Sequence, residues 1–69
     1  MKVYEIDVAG PIGPVVRSCL PAFTTRSVAR MTVLTGTVND PQVLLSAIDL
    51  LDQRGLVTLD IRVIGTAPS

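Results

Sequence analysis

Alternating apolar and polar residues at both ends of the chain, two proline-marked helix starts and a Thr- and Val-rich stretch between them predict an α+β domain. The order these signals give is β-α-β-β-α-β, the pattern of a ferredoxin-like two-layer sandwich. Its antiparallel sheet is expected in the order 4-1-3-2. Right-handed crossovers place both helices on one face. Residues 1–64 are expected to form this single domain, with 65–69 (GTAPS) as a flexible tail.

The first strand is Val3 to Val8, where Tyr4, Ile6 and Val8 share one face and Glu5 and Asp7 the other. Gly10-Pro11-Ile12-Gly13-Pro14 ends it. Pro14 suits the first turn of a short helix, where its missing N–H costs nothing. Ile12, Val15, Val16, Cys19, Leu20 and Phe23 continue that helix at apolar-stripe spacing, and Pro21 stops it near Leu20. A hairpin follows, with arms near 23–28 and 31–37 and a turn around Val28-Ala29-Arg30. Asn39-Asp40-Pro41 starts a second helix over about 41–54, because Asn or Asp caps free N–H groups and Pro fits the first turn. Leu44, Ala47, Ile48 and Leu51 form its apolar stripe, and Gly55 is its stop. Leu56 to Ile64 alternates again, with Val57, Leu59, Ile61 and Val63 on one face and Thr58, Asp60, Arg62 and Ile64 on the other.

The chain has 69 residues, of which 48% are hydrophobic and 17% charged, with no formal net charge. That excludes a disordered chain and a basic nucleic-acid arm. One cysteine and no histidine leave neither an internal disulfide nor the usual zinc ligand set, so no metal and no cofactor are expected. No apolar run reaches membrane-spanning length and no secretory leader is visible, which makes cytoplasm the expected location. Leu, Ile and Val number 23 against two aromatic residues, so the core is built from small aliphatics. A scaffold this small gains stability most simply by self-association, and a homo-oligomer, in its simplest form a dimer, is expected through the open sheet face or a strand edge.

Candidate sites are few. Glu5, Asp7, Asp60 and Arg62 are expected close together on the helix-free face, where they offer acid–base groups and an anion anchor. Set against that is a solvated face with one cross-strand ion pair. Cys19, on the apolar stripe, reads as a core residue. The Gly10–Pro14 loop lacks phosphate-loop spacing. Stacking aromatics for nucleic acid are missing from the strands.

Tyr4-Glu5-Ile6, Gly13-Pro14, Pro21-Ala22-Phe23-Thr24, Thr32-Val33-Leu34-Thr35-Gly36, Asp40 and Gly55-Leu56 together resemble a family of small uncharacterised actinobacterial proteins. That resemblance implies no activity. A histidine frequent in the second helix of that family is replaced here by Leu45. Asp40-Pro41-Gln42-Val43-Leu44-Leu45-Ser46-Ala47-Ile48, with Asp52-Gln53-Arg54-Gly55-Leu56 and Asp60-Ile61-Arg62-Val63, is similar to the loop, helix and strand of ACT ligand-binding domains. It implies a small-ligand site near Gly36, Asn39 and Asp40. Three functions are therefore expected in order. The first is a non-catalytic homo-oligomeric association or regulatory module, which pairs with itself and could also hold another protein. The second is a cofactor-free isomerase or cyclase with a pocket between subunits. The third is an ACT-like ligand sensor.

Overall fold

The computed structural model describes residues 1–68. The chain runs β1 (Lys2–Ala9), α1 (Gly13–Ser18), β2 (Phe23–Val28), β3 (Met31–Val38), α2 (Pro41–Gln53) and β4 (Thr58–Thr66). The strands form one antiparallel sheet with neighbours β2-β3-β1-β4. The register pairs Ile6 with Leu34 and Ile61, and Thr25 with Leu34. Tyr4, Ile6 and Val8 of β1 thus share a face with Leu34 and Val38 of β3 and Phe23 of β2. Ile6, Val8, Leu34, Phe23 and Val38 join Val16, Leu20, Ala47 and Leu51 in the core.

The expected ferredoxin-like sandwich with two equivalent helices on one face is corrected, while the expected order 4-1-3-2 is the observed order counted from the β4 edge. The chain forms an α+β fold with strand order β2-β3-β1-β4, counted from the β2 edge, under an uneven helical layer. α2 has thirteen residues and bridges from β3 to β4. α1 has six and buries only Val16. The cause is local. Pro14 lies in the first turn of α1, the N-cap is Ile12, whose side chain cannot accept from the free N–H groups, and Pro21 follows three residues after the helix end. At its close the N–H groups of Cys19 and Leu20 bond back to Val16 and Arg17, three residues each. This tighter turn moves Leu20 inward and leaves Cys19 exposed. The expectation that Cys19 lies in the core is therefore also corrected.

α2 is ended cleanly at both sides. Asp40 accepts from the Gln42 N–H at 3.0 Å. At the other end Gly55, at φ 74°, donates to Asp52, and Leu56 N–H donates to Leu51. These two bonds form a Schellman motif, which folds Leu56 back onto the core. The hairpin turn is two residues, Ala29 and Arg30, with Ala29 at φ 55°. Gly36 lies inside β3, where its register partners are Tyr4 and Phe23. A Cβ there would lie 2.5 Å from the Ala22 carbonyl oxygen and 2.6 Å from Phe23 Cδ1. Only glycine lets the Phe23 ring lie across this strand.

β4 also runs past the expected domain limit. Thr66 pairs with Lys2, and Ala67 N–H donates to the Met1 carbonyl at 2.9 Å. The expected tail therefore begins in ordered strand. Ser69 lies outside the described residues.

Candidate functional site

Odd-numbered side chains of β1 point away from the helices. Glu5 sits opposite Arg62, and Asp7 opposite Asp60, on the neighbouring β4. The structure thus brings together all four residues expected on the open face. Arg62 is the hub. Its Nη1 donates to Asp7 Oδ2 at 3.0 Å and to Asp60 Oδ2 at 2.8 Å, and its Nη2 donates to Glu5 Oε1. Arg26, from β2 on the far side of β3, donates to the other Glu5 oxygen at 3.3 Å. Asp7 is buried beneath this layer beside its partner Val33.

The bond to Glu5, then that to Asp60, raises the Arg62 pKa above the ordinary arginine value. The guanidinium therefore stays charged throughout any workable pH range. Its donors are turned to three carboxylates. Glu5 has both oxygens engaged by arginines. An acid–base residue needs a proton or lone pair free for substrate, and an anion anchor needs free donors. In this arrangement the groups satisfy one another. No buried side-chain nitrogen or oxygen among the described residues lacks a partner. The geometry is that of a structural charge network across three strands.

Arg26 belongs to this network and the sequence reading missed it as a member. The signal was present: Phe23 faces the core, so a period of two sends Arg26 to the open face. The ligand candidates fare differently. Gly36 is covered by Phe23. Asp40 is engaged as the α2 cap. Asn39 lines a concavity of about 290 Å³ with Lys2, Tyr4 and Pro41. The three residues do not converge on one pocket.

Two features were not anticipated. A groove of about 540 Å³ lies between the α1–β2 connection, with Cys19, Pro21 and Phe23, and the Val43, Ser46 and Leu50 side of α2. The other feature is larger. Leu59, Ile61 and Val63, apolar residues of β4, remain 39–57% exposed, and Val57 just before the strand is exposed too. Leu45 on α2 is 56% exposed beside them, across a groove that it shares with Val57 and Thr58. α2 lies over β1 and reaches only the near side of β4, and no other helix covers the rest.

A family model described as a domain of unknown function, DUF8691, matches residues 3–62, which is β1 through most of β4. The chain belongs to the DUF8691 family. No curated protein and no solved structure matches it. The matched span of this DUF8691 chain takes in the whole charge network and the β4 residues from Thr58 to Arg62. No helix among the described residues is long and apolar enough to cross a membrane.

Proposed function

We propose that this DUF8691 chain is a non-catalytic module whose task is association, first of all with copies of itself. The observation that carries this reading is the uncovered apolar set on β4. Ile61 and Val63 lie opposite Ile6 and Tyr4 on the side of the core, Leu59 follows at the bulge, and all three remain in water. Leaving them exposed forgoes about 25 cal/mol for each Å² that a partner would remove from water. Most of the open sheet face supports the reading by contrast, since its charges are already paired. Sedimentation equilibrium over micromolar to millimolar concentration tests it. A dimer or larger species is the expected result, and a single-chain mass throughout refutes it.

A second reading, small-ligand sensing of the ACT-like kind, draws support from the apolar groove beside Cys19. Such a groove suits a small apolar molecule better than a free amino acid, since its walls offer few polar anchors. A thermal-shift screen against apolar metabolites and amino acids tests it. Stabilisation abolished by Val43→Glu supports it, and no shift with any compound removes it.

A further inference from the structure

We infer that two copies join through β4, antiparallel, with Ile61 opposite Ile61 of the second copy on a two-fold axis perpendicular to the sheet. This inference rests on the self-association reading above and specifies its geometry. It starts from the direction of the backbone groups. Ala9 N–H donates to Val57 and Ala67 N–H to Met1, so odd-numbered residues of β1 turn their backbone groups to β4. In the register Glu5–Arg62 and Asp7–Asp60, the N–H groups of Asp60 and Arg62 then face β1. The N–H groups of Ile61 and Val63 and the carbonyls of Leu59 and Ile61 face the free edge. Ile61 N–H agrees with this, since it donates to the Asp60 carboxylate at 2.9 Å.

Symmetry restricts how that edge can pair with itself. A two-fold axis through an antiparallel pair keeps each face on its own side, so side chains that point to one face meet only their own kind. Residue numbers facing each other must therefore add to an even total. Charge selects among the remaining registers. Centring on Asp60 sets carboxylate against carboxylate, and centring on Arg62 sets guanidinium against guanidinium; both oppose like charges. Centring on Ile61 places Asp60 opposite Arg62 of the other copy, twice, on the open face. On the helix face it places Leu59 opposite Val63, twice, around the central isoleucine pair. Once the Ile61 N–H exchanges the Asp60 carboxylate for the carbonyl across the axis, the same register lets the two Ile61 residues bond to one another and lets Val63 N–H reach the Leu59 carbonyl.

Leu59, Ile61 and Val63 are 57%, 39% and 53% exposed, so pairing along β4 removes apolar side chains of both copies from water while it satisfies the edge backbone groups. The register shifts that flank Asp60–Val63 keep the regular segment short. Such irregularities discourage endless edge growth.

Single-cysteine cross-linking tests the register. In a Cys19→Ser background, Leu59→Cys, Ile61→Cys and Val63→Cys are each oxidised mildly and read on a non-reducing gel, with mass and circular dichroism checked for each. Paired residues at a bonded antiparallel site lie about 5.5 Å apart at Cα, within disulfide reach. Ile61→Cys is expected to link to itself. Leu59→Cys and Val63→Cys are expected to link only when mixed with one another. Asp60→Arg, which opposes two guanidinium groups, is expected to weaken the assembly at least tenfold, with circular dichroism and thermal melting separating that loss from any loss of fold. An assembly in which Leu59→Cys or Val63→Cys links to itself, or Ile61→Cys does not, overturns this register and leaves self-association standing. A single-chain mass for the unsubstituted protein overturns both.

Discussion

Replacing Gly36 by alanine tests whether this glycine serves packing or a ligand. The new Cβ would sit 2.5 Å from the Ala22 carbonyl oxygen and 2.6 Å from Phe23 Cδ1. Ordinary contact lies at about 3.5 Å, so one side must retreat by about 1 Å. The ring cannot retreat freely, because Phe23 is 7% exposed and packed in the core. The backbone oxygen can move only if the start of β2 lifts from β3. Overpacking of this kind costs about 1–3 kcal/mol. A domain of this length holds roughly 3–10 kcal/mol in all. With about 4–8 °C of Tm per kcal/mol, the melting temperature should fall by roughly 5–20 °C, read by circular dichroism with no ligand added. Phe23→Leu should then cost less in the Gly36→Ala chain than in the parent, a coupling of about 0.5–1 kcal/mol. An unchanged melting temperature, or strict additivity of the two substitutions, would refute the packing explanation and reopen Gly36 as a ligand contact.

Other substitutions probe the turns, the thiol and the charge network. Ala29 stands at φ 55°, where a Cβ is strained by about 1–2 kcal/mol; Ala29→Gly should therefore leave the protein equally or more stable in urea, and a clear loss would contradict the turn. Asp40→Ala removes the bond to the Gln42 N–H and should cost about 0.5–2 kcal/mol by denaturant titration. Cys19 is exposed, so it should react with a thiol reagent in the native state without denaturant; protection until unfolding would mean that α1 runs on as an apolar stripe. Arg62→Gln should destabilise the fold, with a smaller difference at high salt because the guanidinium is partly exposed. For pH the sign follows from the raised Arg62 pKa: its contribution is fully present below the ordinary arginine value and is lost only above it. The gap between parent and Arg62→Gln should accordingly stay constant from pH 7 to pH 10 in urea melts, and a gap that closes over that interval would contradict it.

Much of the fold was legible because it is written in local chemistry. Asp40-Pro41 and Gly55 bracket α2 through bonds that involve neighbours only. The alternation of Tyr4, Ile6 and Val8 with Glu5 and Asp7 placed the acids on the open face, and Asp60 with Arg62 followed by the same rule. What was not legible depends on how far a tertiary element reaches. The spacing of Ile12, Val15, Val16 and Cys19 fits a helix of any length, but α1 ends at Ser18 and leaves Cys19 in water, and within α1 only Val16 is buried while Val15 is exposed. Gly36 was expected near a ligand, whereas an aromatic ring from the adjacent strand is what requires a glycine there.

The same reasoning bears on where association belongs. From the sequence, the open sheet face and a strand edge were both candidates for contact between copies. Its central acids are held by Arg26 and Arg62, however, and covering them would strip water from charges that already have partners. β4 presents the opposite situation. Its alternation is indistinguishable in sequence from that of β1, yet Ile6 is fully buried and its neighbour Ile61 is 39% exposed. The difference lies in position alone: β1 has a strand on each side and α2 above, whereas β4 has one neighbour and an incomplete roof. An apolar face beside an unpaired edge can be completed by one event, the arrival of a second β4, which supplies backbone partners and apolar cover together. A partner that lacked a strand edge would supply only the cover, which is why a copy of the chain itself fits this surface better than a generic protein ligand.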